Sequence, residues 1–251
     1  KHKFAAVILA AGNGTRMRSS LPKVMHKVAG QPLVSHVLGS VAALSPEETV
    51  LVVAQHMDAV RQEASARMPG CLFAVQEEQK GTGHAVQMAL SQLPETGKSL
   101  ILYGDVPLTT PETLQKLLDL VVDNQKIALL TVNLANPTGY GRIVREAGLV
   151  QRIVEQKDAS EQEKQITEVN TGILCVPNCH LHQWLPTLKN NNAQGEYYLT
   201  DVIALAVQQG LTVHTYQPQA AWEVEGINDK LQLSTLERVY QRLQADNLMR
   251  A

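Results

Sequence analysis

Short, continuous apolar runs alternating with amphipathic helical patterns constrain this chain more than any other feature. Phe4–Ala10, Val50–Ala54, Cys71–Val75, Ser99–Tyr103 and Ile127–Val132 read as strands, several apolar at consecutive positions and therefore suited to burial on both faces. Between them, Pro32 opens a helical pattern with Leu33, Val34, Val37, Leu38 and Val41 on one face. Thr110-Pro111-Glu112 is a second helix start: a hydroxyl to cap, a proline that suits the first turn, and an early acid. Leu114, Leu117, Leu118 and Val121 make the stripe that follows. Such alternation predicts an α/β fold with a doubly wound, mostly parallel sheet, which binds its ligand beyond the carboxyl ends of the strands.

After about residue 134 the pattern loosens. Arg142–Arg145 and Leu149–Val154 flank Glu146-Ala147-Gly148 and predict a hairpin. Further strands are expected at Thr171–Val176 and Leu211–Tyr216, and a helix over Tyr198–Gln208. No Pro/Ser-rich linker, internal repeat or low-complexity tract divides the chain, so this half is expected to add to the same sheet, making it mixed. From Asp229 to Arg250 runs a long helical pattern carrying Leu231, Leu236, Val239, Tyr240, Leu243 and Leu248.

Charge is distributed unevenly. The first 46 residues contain no Asp or Glu but hold Lys1, Lys3, Arg16, Arg18, Lys23 and Lys27, although the formal net charge of the 251-residue chain is −2. Within this basic pole the turn Ala11-Gly12-Asn13-Gly14-Thr15-Arg16-Met17 follows the first apolar run directly. Backbone N–H groups of a glycine turn beside guanidinium and ammonium groups suit a polyphosphate; a solvated basic edge is the plainer alternative. Aromatic residues make up 4% of the chain, too few for a base-stacking surface, and the overall charge is not that of a duplex binder, so nucleic acid is not expected as a partner. No apolar run approaches the roughly 20 residues of a membrane span. Three cysteines without a pairing framework point to a reducing, cytoplasmic setting.

The glycine turn is neither of the common nucleotide fingerprints. It lacks the Lys-Ser/Thr of a Walker loop, and it places Met17 where a dinucleotide fold would have its third glycine. No acid for a ribose occurs before Glu47, so hydride transfer is not expected. Gly104-Asp105-Val106-Pro107 closes the Ser99–Tyr103 run, which puts a carboxylate at the ligand rim. Asp105 could hold a Mg²⁺ that bridges phosphates, or could cap the Pro107–Thr109 turn; position alone does not choose. Cys175, Cys179, His180 and His182 lack the spacing of a zinc site and predict a strand followed by a helix start. His26, His36, His56, His84 and His214 show no Ser or Cys partner pattern that would mark a catalytic base. The polar stretch Asn190–Asp201 reads as a loop and cap, rich in amides and hydroxyls.

Taken together, these motifs resemble the sugar-1-phosphate nucleotidyltransferases. The Leu9–Met17 stretch followed by Leu21-Pro22-Lys23 is similar to that family's signature. Gln76 with Gly81-Thr82-Gly83, Tyr103-Gly104-Asp105, Gly139–Arg142, Val154-Glu155, Val169–Gly172, Asn190–Asp201 and Glu223–Asn228 narrow the resemblance. They point to the N-terminal uridyltransferase half of bacterial bifunctional N-acetylglucosamine-1-phosphate uridyltransferases. The resemblance implies a Rossmann-like sheet of the nucleotide-diphospho-sugar transferase type, and a reaction in which UTP and N-acetylglucosamine 1-phosphate give UDP-N-acetylglucosamine and pyrophosphate, for cell-wall precursors. It implies that the Leu9, Ala10, Ala11 and Gly12 backbone, Gln76, Gly81 and Thr82 hold the uridine, and that Tyr103 and Gly104 also bind substrate. Gly141, Glu155, Asn170 and Thr171 would hold the amino sugar, Asp105 and Asn228 would bind Mg²⁺, and Arg16 and Lys23 would offset phosphate charge. Asn13 departs from the family, which often has Lys there. Another sugar phosphate or base, or a non-catalytic nucleotide-sugar sensor, are the alternatives. The resemblance further implies a transferase domain over 1–228 and a connector helix over 229–251 leading toward an acetyltransferase β-helix, through which relatives form trimers. These residues contain none of the hexapeptide repeats of such a β-helix, so a monomer is expected.

Overall fold

The computed structural model describes residues 3–250; Lys1, counted above in the basic pole, lies outside them. In chain order the strands are β1 (Phe4–Leu9), β2 (Lys27–Val28), β3 (Gln31–Pro32), β4 (Glu48–Val53), β5 (Leu72–Val75), β6 (Lys98–Tyr103), β7 (Lys126–Asn133), β8 (Arg142–Glu146), β9 (Leu149–Val154), β10 (Glu168–Pro177) and β11 (Thr212–Tyr216). The helices are α1 (Leu33–Ala42), α2 (Asp58–Arg67), α3 (Thr82–Ala89), α4 (Pro111–Leu120), α5 (Asn178–Trp184), α6 (Asp201–Gln208) and α7 (Lys230–Arg250). Nine strands form one sheet with the central order β11-β7-β10-β6-β1-β4-β5, and β8–β9 branch from β10. β6, β1, β4 and β5 run parallel, as do β7 and β11, while β10 runs antiparallel between β6 and β7. The mixed doubly wound sheet expected from the alternation is the one observed, and the second half belongs to it.

Continuous apolar strands follow from helices on both faces. Phe4, Ala6 and Ile8 of β1 pack on one side with Val34, Val37 and Leu38 of α1 and Leu114 and Leu117 of α4. Ala5, Val7 and Leu9 pack on the other with Val86 of α3, Trp184 of α5 and Ile203 of α6. Each fully buried Leu, Ile or Val contributes about 1.5–3 kcal/mol of transfer free energy, which is why no polar residue interrupts β1. Thr110 Oγ1 accepts the Thr113 N–H at 3.3 Å, so α4 is capped as its sequence predicts. Ala147 and Gly148 take φ of 48° and 80°, the two positive values that a two-residue hairpin turn between β8 and β9 needs.

Three readings shift. The helix expected from Tyr198 starts at Asp201, because the preceding residues are engaged elsewhere, as described below. α2 and α3 are not among the expected helices; only Val60 and Ala64 of α2 are buried, too sparse a stripe to register as a period. α7 docks through Leu236 on Met17, Val28 and Leu33, with Ala29 N–H donating to Glu237 at 2.8 Å, but Leu231 and Leu248 of its expected stripe are exposed.

The strand and helix start expected over Cys175–His182 are observed as the end of β10 and as α5. Cys175 is buried on β10 with its thiol pushed up to about 12 by desolvation, and among the described residues no three His, Cys, Asp or Glu side chains gather as a metal cage. Among the described residues no helix is long and apolar enough to cross a membrane.

Candidate active site

Parallel strands deliver their carboxyl ends to one rim, and because β10 is antiparallel it delivers its beginning there. Leu9, Ala10, Ala11 and Gly12 leave β1 into a cleft of about 240 Å³. Gln76, just past β5, Gly81 and Thr82 at the start of α3, and Tyr103 and Asp105 at the end of β6 also line it, with Lys23. Gly104, between the last two, donates its N–H to Leu9 O at 2.9 Å and joins the two strand ends. The basic turn folds as it does because Gly14 takes φ of 59°, and a Cβ there would stand 2.6 Å from Lys23 Cβ. Glycine is thus required both for the left-handed backbone and for bringing Lys23 against the turn. Arg16 sits on the following short helical turn, exposed, with no ion pair among the described residues, and is not part of the cleft lining.

Lys23, Asp105 and Asn228 form the charged corner. Lys23 Nζ is 2.6 Å from Asp105 Oδ2 and 3.2 Å from Asn228 Oδ1. The Asp105 carboxylate therefore meets a cation and does not cap the turn after it. Asn228 reaches this point because Ile227 N–H donates to Asp105 O at 2.9 Å. Its segment is held by Glu223, buried at the start of α4, which accepts the Thr113 hydroxyl at 2.6 Å and the Thr110 hydroxyl at 3.2 Å. A carboxylate is favoured there by the orphan N–H groups of the helix N-terminus. One carboxylate and one amide oxygen thus converge on the Lys23 ammonium. That donor set suits Mg²⁺, which takes one or two protein oxygens and completes its shell with phosphates and water.

Gly141, Glu155, Asn170 and Thr171 form a second group outside the cleft lining. Asn170 N–H donates to Gly141 O at 2.8 Å, Asn170 Oδ1 accepts the Gly172 N–H at 2.9 Å, and the Thr171 hydroxyl donates to Leu130 O at 2.7 Å. Glu155 Oε1 accepts the Thr200 hydroxyl at 3.1 Å. Burial raises the Glu155 carboxyl above its ordinary value against that hydrogen bond, and Asp158, Asp201 and Glu196 add to the rise. Tyr103 joins the two groups. It lines the cleft with Asp105 while its ring lies against Gly172, next to Thr171, and its phenol is pushed far up by burial first and then by the negative charges of Asp105 and Glu155. Gly172 makes the room: its φ is 87°, and a Cβ would lie 2.5 Å from the Tyr103 ring.

The polar stretch before α6 spans both groups. Tyr197 N–H donates to Lys80 O at 2.8 Å, Gly83 N–H donates to Tyr197 O at 2.8 Å, and Leu199 N–H donates to Thr82 Oγ1 at 3.1 Å. At its other end Ala193 N–H and the Tyr198 hydroxyl donate to Asp158 at 2.9 and 3.1 Å. Leu199 N–H is spent on Thr82, and Tyr198 O and Leu199 O accept from Asp201 and Val202 N–H, a turn that leads into α6 at Asp201. Sequence reasoning assigned no role to Glu223, or to Gln79 and Glu196, which also line the cleft.

Residues 6–167 match the family model described as the MobA-like NTP transferase domain. The chain belongs to this family. Proteins named Bifunctional protein GlmU are similar to this NTP transferase along nearly all its length. That of Cellvibrio japonicus is 55% identical over 98% of this chain, and that of Marinobacter nauticus 56% over 97%. The counterpart from Acinetobacter baumannii (strain AYE) is 52% identical over 97%. The chain spans about half the length of these relatives, 53–54%. Its resemblance to such bifunctional proteins is thereby upheld. A UDP-glucose pyrophosphorylase complexed with UDP-glucose superposes on this NTP transferase with a TM-score of 0.75, 16% identity, and 96% of this chain and 99% of that one covered. A nucleotidyl transferase from Methanothermobacter thermautotroptrophicus gives 0.69 and 16%, covering 97% and 100%. At that identity the likeness is one of fold.

Proposed function

We propose that the chain is a sugar-1-phosphate nucleotidyltransferase that transfers the uridylyl group of UTP to N-acetylglucosamine 1-phosphate, releasing pyrophosphate and UDP-N-acetylglucosamine. The observation that carries this reading is the pairing, about Tyr103, of a cleft with a Lys–Asp–Asn corner and a group of amide, hydroxyl and carboxylate side chains, Asn170, Thr171 and Glu155, beside Gly141. The first suits a nucleoside polyphosphate, the second a sugar.

In this reading Leu9–Gly12 present backbone groups, and Gln76, Gly81 and Thr82 present side-chain and backbone groups, to the uridine. The sugar-phosphate oxygen is itself the nucleophile, attacking the α-phosphorus in line with the departing pyrophosphate. No covalent intermediate and no side-chain nucleophile is required, so the protein's work is orientation and charge compensation. Lys23, held at the cleft by the Gly14 turn, and Arg16, free at its edge, meet the charge that develops on the leaving pyrophosphate. Asp105 and Asn228 would hold Mg²⁺, which when bound neutralises and aligns phosphate oxygens. Gly141 O already takes the Asn170 N–H, which fixes the backbone against which Asn170, Thr171 and Glu155 would hydrogen-bond the sugar. All groups named precede residue 229, so 1–228 carry the reaction and α7 stands outside it.

Pyrophosphate release from UTP with a panel of sugar 1-phosphates tests the assignment. Release with N-acetylglucosamine 1-phosphate and much less with glucose 1-phosphate is expected, because a site that pairs the acetamido group penalises a ligand lacking it. Binding without any pyrophosphate release identifies a sensor instead, and equal use of both sugars overturns the amino-sugar assignment.

A further inference from the structure

Gln76 is pinned so that its two amide atoms have different futures. Its backbone N–H donates to Val53 O at 2.9 Å, and the side chain, 3% exposed, lines the cleft. Its Nε2 stands 3.2 Å from Gly81 O and 3.0 Å from His84 Nδ1. A carbonyl oxygen only accepts, so the Gly81 contact demands the NH₂ end of the amide; turned over, oxygen would face oxygen. With NH₂ in place, His84 Nδ1 must be the acceptor and the ring proton must lie on Nε2. Burial, aided by the Lys80 ammonium and opposed by Glu78, holds His84 below its ordinary value, which keeps that lone pair available. The ring is carried by α3, whose start is bonded to Tyr197, and it faces the Tyr197 ring at 6.5 Å. Both amide hydrogens are then used. Gln76 Oε1 has no hydrogen-bond partner among the described residues, on a side chain that faces the cleft.

We infer that His84 is a positioning residue for base selection: by holding the Gln76 NH₂ it leaves Oε1 as a fixed acceptor that favours a pyrimidine bearing N3–H over one whose N3 is itself an acceptor. The inference rests on the nucleotide-binding reading of this cleft and deepens it. Uracil offers N3–H and satisfies Oε1. Cytosine offers a lone pair there, leaving two acceptors opposed and unpaired, and a site built for one hydrogen-bond pattern rejects the other strongly. Without His84 the NH₂ is held by Gly81 O alone, so the amide turns over at lower cost to present NH₂ to cytosine N3, and discrimination should fall while general nucleotide affinity stays.

The test is equilibrium binding of UTP, CTP and 5-methyl-UTP to the full chain, by calorimetry, without sugar phosphate or turnover. Wild type is expected to bind UTP at least about tenfold tighter than CTP, as one mismatched hydrogen bond implies. His84→Ala and His84→Phe should narrow that ratio by about five- to tenfold, the worth of one hydrogen bond. His84→Asn, whose Oδ1 can accept near the place of Nδ1, should restore it. The 5-methyl-UTP to UTP ratio should stay constant throughout, because both carry N3–H; a general loosening of the cleft would move it. An unchanged UTP to CTP ratio in the variants, or a shift in the 5-methyl-UTP ratio of equal size, overturns the role of His84. Absence of UTP binding by wild type overturns the nucleotide reading itself, a separate failure. Should His84→Phe not fold, His84→Ala carries the test, since alanine is the best helix former for α3.

Discussion

The two sides of the rim are built by different means. On the cleft side, each group sits at or just beyond the end of a parallel strand: Leu9–Gly12 after β1, Gln76 after β5, Tyr103–Asp105 closing β6. Local chain rules suffice to place them. On the Glu155 side, Gly141 precedes β8, Glu155 follows β9, and Asn170 and Thr171 lie where β10 loses register against β7. The β8–β9 hairpin brings Gly141 and Glu155 together, but Asn170 and Thr171 join them through the long-range Asn170–Gly141 bond, and Glu155 is tied to Thr200, far along the chain. A strand-end site is tolerant of what happens elsewhere in the chain, whereas a site assembled from irregular segments depends on every tie that assembles it. Five substitutions press on that difference.

The largest effect is expected at Asp105. Asp105→Asn keeps a hydrogen-bonding partner for Lys23 but removes the carboxylate charge, so turnover in a pyrophosphate-release assay should fall about 100-fold or more. Stability by urea titration should change by no more than about 1 kcal/mol. Near-normal turnover would remove Asp105 from the chemistry.

Gly172→Ala should come next, as the sharpest probe of the assembled side. The new Cβ would collide with the Tyr103 ring at a positive φ, for a cost of about 2 kcal/mol or more in urea unfolding. Use of the sugar phosphate should suffer more than affinity for UTP. Equal loss of both would mean that the two sides are not separable.

Arg16→Ala and Lys23→Ala should lower kcat more than they raise KM, by about tenfold for either, if their charge meets the transition state. Changes confined to KM would show docking alone. Lys23 should show the larger effect, because it also balances Asp105.

Glu155→Gln should have the smallest effect on folding, and a pH-dependent one. An acid whose folded-state value lies above its ordinary 4.5 holds more protons folded than unfolded across that interval, so native stability falls as pH rises through it. Glutamine cannot titrate and still accepts the Thr200 hydroxyl. The variant's melting temperature should therefore gain on wild type from pH 4 to pH 8; a gap independent of pH would show that burial does not raise this carboxyl.

The contrast also explains what the sequence made legible. A glycine turn after an apolar run, a lysine behind it and an acid closing another run are local signals, and each marks a residue in the cleft. Glu223, Gln79 and the bonds of Tyr197 leave no local signal, because their partners are far away in the chain: Glu223 lies about a hundred residues from Thr113. α7 shows the same limit from another direction. Its apolar spacing predicted a helix, yet spacing cannot say which turns meet the domain, and Leu236 is buried where Leu231 and Leu248 are not.

Residues 193–199 act as a tie rod. One end is bolted to Asp158, the other to Lys80, Thr82 and Gly83. The span between the turn before α3 and the loop after β9 is therefore set by this length of main chain and by the Asp158, Tyr198 and Thr82 side chains that fasten it. Molecules that bridge the two sides are gauged by that length, and slack introduced at either bolt is felt at both.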